Sequence, residues 1–102
     1  MERIDTFEFT APLWQYPGEG GWHFVSLPVE IGDDIADMTE PIRAGFGSIR
    51  VAVTVGTTSW QTSIFPDRKT GTYLLPVKKT VRTAEKLEAG DDVWARVRIT
   101  GF

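Results

Sequence analysis

Most of this chain alternates between apolar and polar positions with a period of two, the pattern of half-buried β-strands. In "TFEFTAPLW", Phe7, Phe9, Ala11 and Leu13 alternate with Glu8, Thr10, Pro12 and Trp14. The turn "GEGG" follows, and "WHFVSL" reads as the returning strand of a hairpin. In "GSIRVAVTV", Ile49, Val51, Val53 and Val55 share one face, and Arg50 and Thr54 share the other. Gly56 and Thr57 mark a tight turn, after which "SWQTSIF" comes back as the partner strand. "PDRKTG" is a further turn and "TYLLPV" a short strand. The last strand, "DVWARVRIT", points Val93, Ala95, Val97 and Ile99 inward, and Trp94, Arg96, Arg98 and Thr100 outward.

Two segments follow a helical period instead. "PVEIGDDIADM" opens on Pro28, a residue suited to the start of a helix. Ile31, Ile35 and Met38 fall on one face, and Pro41 ends the segment. In "GTYLLPVKKTVRTAEKLEAGDDV", Val77, Val81, Ala84 and Leu87 form an apolar face, with Gly90 as the C-terminal stop. The chain therefore predicts a mainly β domain of six strands with two short helices, and no repeat, linker or low-complexity segment. So many short strands in one small domain favour a closed or nearly closed barrel, which hides the strand edges, with the helices capping its ends. Trp14 and Trp94, both outward on strands, require cover or a partner.

Composition narrows the class. A chain of 102 residues makes one small domain, residues 1–102, and its 41% hydrophobic and 25% charged residues are those of a folded globule. The chain has no cysteine, which excludes disulfides and thiolate metal sites. No apolar run approaches the roughly 18 residues that would span a bilayer, and the N-terminus lacks a signal pattern, so a cytoplasmic protein without membrane contact is expected. The net charge of −3 disfavours a strongly basic nucleic-acid binder.

The charge is unevenly spread. Lys78, Lys79, Arg82 and Lys86 fall within roughly a 100° arc of the second helix, opposite its apolar face. The first helix gathers Glu30, Asp33, Asp34 and Asp37. The basic side can face water, pair with the acidic helix within the fold or across a dimer, or hold an external anion. Arg50, Arg96 and Arg98 with Trp94 extend a surface that suits a nucleic-acid backbone.

Catalytic chemistry has little to work with. His23 is the single histidine, so a transition-metal site would depend on carboxylates for most of its ligands. No serine stands in a nucleophile-elbow pattern, and "GFGS" lacks the spacing and the lysine of a phosphate loop. Neither a metal nor a cofactor is expected. As a general base, His23 is the weakest of the functional readings. The aromatic residues, with Lys79 and Arg82 nearby, suggest a small-ligand pocket at the barrel mouth lined by Trp22, His23, Trp60 and Tyr73.

The segments "FEFTAPLW", "WHFVSLPVEI", "RAGFGSIRVAVTVGTTSWQTSIFPD" and "GTYLLPVKKTVRTAEKLEAGDDV" together resemble the family called domain of unknown function 1905. The order W-H-F-V-x-L-P, G-F-G-S, W-x-T-S-I-F-P and Y-x-L-P-V-K-K-x-V-R carries the resemblance through nearly the whole chain. It implies a small barrel of the double-split type with a pseudo-duplicated strand arrangement, in a bacterial or archaeal protein. It implies no established activity and supplies no catalytic residue. The motif positions here are Trp22, His23, Phe24, Pro28, Gly45, Gly47, Trp60, Phe65, Pro66, Lys78, Lys79 and Arg82. At Lys86 this chain departs from the glycine that relatives carry before the "GD" turn. The expected function is a non-enzymatic binding or interaction module for a small anionic ligand or a protein, monomeric or weakly dimeric. The alternative is nucleic-acid binding by analogy with double-split barrel regulators.

Overall fold

The structure is a computed structural model that describes residues 5–40 and 47–101. Pro41, expected to stop the first helix, and Gly45 of "GFGS" lie outside the described residues. Six strands form a closed antiparallel barrel in the order β1-β2-β5-β4-β3-β6. They are β1 (Thr6–Gln15), β2 (His23–Ser26), β3 (Ile49–Val55), β4 (Thr58–Asp67), β5 (Thr72–Pro76) and β6 (Asp92–Ile99). Helix α1 (Val29–Thr39) connects β2 to β3, and helix α2 (Lys79–Glu85) connects β5 to β6. The mainly β barrel with two short helices is thus the fold of this chain.

The alternation in sequence becomes the two sides of the wall. β6 reads exposed and buried at successive positions, with Val93, Ala95, Val97 and Ile99 all inside. Cross-strand partners continue each row: Phe7 pairs with Val97, Val97 with Val53, and Val53 with Trp60. Because partners point to the same side, Trp60 follows Val53 toward the interior. Each fully buried valine or leucine stabilises by about 1.5–3 kcal/mol relative to exposure.

The long strands β1 and β4 each serve two partners. β1 pairs with β6 over Thr6–Pro12 and with β2 over Leu13–Gln15. β4 pairs with β3 over Thr58–Ile64 and with β5 over Phe65–Asp67. The element order strand–strand–helix–strand occurs twice, as β1-β2-α1-β3 and β4-β5-α2-β6. The tripeptide "LPV" stands near the start of each helix, at 27–29 and at 75–77.

The helices are anchored differently. α1 buries Gly32, Ile35 and Thr39, and Ile31 and Met38 are half-buried beside them. A Cβ on Gly32 would overlap the Thr72 hydroxyl, so the absence of a side chain lets α1 settle on β5. α2 is shorter than the periodicity predicts. Lys78 precedes it in an extended conformation, and Lys86 ends it in the left-handed region at φ 55°. The Lys86 and Leu87 amides donate to the Thr83 and Arg82 carbonyls at 3.3 and 2.8 Å. Gly90 is not the stop: it lies in the following turn, where its amide donates to the Leu13 carbonyl at 2.8 Å. Ala84 is exposed, so the buried face of this segment reduces to Val77 and Val81 with Leu87 half-buried.

The acidic and basic helices do not pair within the fold. Among the described residues the single salt bridge joins Arg96 to Glu8 at 2.9 Å, on the barrel exterior. Trp14 points outward as expected and finds cover locally. Its ring lies 5.3 Å from that of Phe24, and its Nε1 donates to the Ser26 hydroxyl at 3.0 Å.

Candidate functional site

The double duty of β4 leaves its β5-side edge unpaired over Thr58–Ile64. β5 pairs with β4 only through Thr72, Tyr73 and Leu74, then continues along β2 through Leu75 and Pro76. Pro76 has no N–H to give to a ladder. No strand pairing joins β4 to β5 N-terminal to Phe65. Chain direction then carries Val77 and α2 past this gap, and the result is a seam between β4 and the β5–α2 segment.

A depression of about 470 Å³ occupies the seam. One wall is β4, with Trp60, Gln61, Thr62 and Phe65. The other is Pro76, Val77, Lys78, Lys79 and Arg82. Gly20, Gly21, Trp22 and His23 close the end, where the β1–β2 turn enters β2. The volume is within the range of small-molecule sites, about 300–1,000 Å³.

Several of these groups have an identifiable support. The Val77 amide donates to the His23 carbonyl at 2.9 Å, which fixes the start of α2 beside β2. Arg82 Nε donates to the Val77 carbonyl at 3.1 Å, which lays the guanidinium along the seam. Its terminal nitrogens take no partner among the described residues, nor do the ammonium groups of Lys78 and Lys79. Three cations therefore share one rim without a carboxylate between them. His23 Nδ1 lies 2.6 Å from the Gly21 carbonyl. A carbonyl only accepts, so Nδ1 carries the proton, and the neutral ring presents Nε2 as an acceptor.

Trp22 is 60% exposed yet held in place. Its ring is nearly parallel to Phe24, at 9° with centroids 6.3 Å apart. A Cβ on Gly20 would come within 3.2 Å of the indole, so the backbone there packs close against it.

Of the residues the sequence singles out for a pocket, Trp22, His23, Trp60, Lys79 and Arg82 meet in this depression. Tyr73 does not. It is 4% exposed and belongs to the core, because it shares the inward parity of Leu75 on β5 and of Val77 just beyond it. Sequence reading missed Lys78, Phe65 and Thr62 as pocket residues. Lys78 carried a signal in its place beside Lys79. Phe65 and Thr62 become visible only once β4 is known to change partners.

A broader depression of about 1210 Å³ runs along β1, β6, β3 and β4 and includes Glu8, Arg96 and Arg98. Its charge is partly spent. Arg96 binds Glu8 and lies 5.5 Å from the centroid of the Trp94 ring.

Fold and site together define a small six-stranded β-barrel with a basic, aromatic seam in its wall. The chain belongs to the family described as Domain of unknown function (DUF1905), whose model matches residues 9–97. The match spans both walls of the seam and the turn that closes it. Comparison with curated proteins gives no match. Among the described residues no helix is long and apolar enough to cross a membrane.

Proposed function

We propose that this protein is a binding module and that the β4–β5 seam takes a small organic anion. The observation that supports this reading is the gathering of Lys78, Lys79 and Arg82, all without acidic partners among the described residues, over a depression that also holds Trp22 and Trp60. Unpaired cations repel one another, by a few tenths of a kcal/mol for exposed neighbours on a helix. An anion placed among them relieves that cost and gains charge-assisted hydrogen bonds. The aromatic walls supply apolar area for the rest of the ligand.

A nucleic-acid backbone held on the barrel exterior by Arg50, Arg96 and Arg98 has less behind it. Arg96 is already engaged by Glu8, and the chain carries a net charge of −3. The double-split relationship implied by family resemblance is an analogy of fold and adds nothing to either reading.

A thermal-shift series at low salt tests the seam. Sulfate, phosphate, sugar phosphates, nucleotides, single-stranded RNA and duplex DNA are the probes. A ligand at about 100 times its Kd stabilises by roughly 2.7 kcal/mol, which moves the Tm of a domain this size by several degrees. The expected result is a shift with a small organic anion that a Lys78→Gln, Lys79→Gln double variant loses. No shift from any anion overturns the reading.

A further inference from the structure

Resting on the seam as an anion site, we infer that its ligand is a nucleotide: a planar heteroaromatic base joined to a phosphate. Three kinds of observation converge on that chemistry.

The first is charge. Lys78 and Lys79 sit side by side at the start of α2, and Arg82 is anchored next to them by Val77. A single carboxylate would leave most of these donors unused. A phosphate, with more charge and more acceptor oxygens, matches two ammonium groups and a guanidinium.

The second is planarity. Trp22 exposes 60% of its surface and Phe65 39%, although both lie on the seam. Phe24 and the Gly20 backbone contact the Trp22 indole without covering it. An exposed indole is a stacking platform that every base fits, since every base has a π-face. Trp60, half-buried against the core, lines the opposite wall. An uncharged sugar would use the aromatic rings but not the cations.

The third is a hydrogen-bond acceptor placed among donors. His23 gives its Nδ1 proton to Gly21, so neutral His23 offers Nε2 as an acceptor. Inorganic phosphate can meet it only through a P–OH, which competes with its role as acceptor for the cations. A base N–H or a ribose hydroxyl meets it without that conflict.

A free mononucleotide and a segment of single-stranded nucleic acid share this chemistry. Outside the seam the aromatic surface continues, from Trp22 to Phe24 to Tyr16, the last 54% exposed with its ring 6.3 Å from Phe24. A strand could stack a further base there.

Binding is measured by calorimetry at low salt with the intact chain. The probes are inorganic phosphate, ribose 5-phosphate, adenosine and uridine monophosphates, a uridine tetranucleotide and indole acetate. The nucleoside monophosphates are expected to bind about tenfold or more tighter than ribose 5-phosphate, the gain that stacking one base provides. Trp22→Ala, at an exposed position, should erase that gain, keep the ribose 5-phosphate affinity within about twofold, and leave the melting temperature unchanged. Lys79→Gln should weaken every phosphate probe. A tetranucleotide that binds more than about fourfold tighter than its monomer makes a strand the source, and equal affinity makes it the free nucleotide. Ribose 5-phosphate or indole acetate binding as tightly as the nucleotides overturns the inference and leaves the anion reading standing. Failure of every probe overturns both.

Discussion

The Thr58 hydroxyl donates to the Glu85 carboxylate at 2.6 Å, tying the last residue of α2 to the first residue of β4. The helix that carries Arg82 is therefore fastened at both ends, by Val77 at its start and by the β3–β4 turn at its finish. Glu85→Ala should lower stability by about 1–2 kcal/mol, less than a fully buried charged bond because the group is only partly covered. Chemical denaturation with an unchanged m-value checks this.

Gly56 stands at the same junction. Its φ is +59°, and a Cβ there would overlap the Glu85 carboxylate. Gly56→Ala should cost about 2–3 kcal/mol, combining left-handed strain with loss of the Thr58 bond. A Gly56→Ala, Glu85→Ala pair should lose less than the sum of the two single changes, which a double-mutant cycle measures.

Lys86 occupies a left-handed position that favours glycine. Lys86→Gly should raise stability by about 1 kcal/mol, while Lys86→Ala, which keeps the Cβ, should change it little. Equal effects from both changes would trace the result to charge and not to backbone conformation. In the seam, neither change should disturb anion binding, since Lys86 is not among the lining residues.

The Thr72 hydroxyl is buried without a hydrogen-bond partner among the described residues, pressed against Gly32 of α1. Thr72→Val should be neutral or stabilising by up to about 1–3 kcal/mol, because it removes an unpaired buried polar group while keeping the shape. Gly32→Ala should destabilise by more than about 2 kcal/mol from overlap, and Thr72→Ala in the same chain should recover part of the loss.

On the exterior, Glu8 and Arg96 are each about half exposed. Glu8→Gln should change stability by less than about 1 kcal/mol, as exposed ion pairs do. A larger loss would mean that the pair organises the β1–β6 ladder and does more than decorate it.

The strand framework was legible because one side of every strand faces a core, and the period-two pattern records that directly. Ile49 to Val55 and Val93 to Ile99 show it without interruption. The end of α2 was not legible, because a lysine in a left-handed conformation leaves no mark in sequence. Gly90 looked like the stop for the same reason that it serves the next turn. The pocket was half legible. Trp22, His23, Trp60, Lys79 and Arg82 stood out by residue type, and so did Tyr73, which the core claims: the adjacent Leu74 and Leu75 hide which side of β5 faces inward. The seam that joins them depends on where β4 changes partners, and pairing register is a property of two strands that neither one encodes alone.

The strand order also fixes when this barrel can come into being. β3 has β4 and β6 as its neighbours, and β6 has β1 and β3. The last strand of each half is thus inserted between strands of the other half. As the chain leaves the ribosome, "IRVAVTV" waits with both edges open until the later strands arrive. Neither half has a fold of its own to fall back on, so the domain should assemble late and melt in a single step.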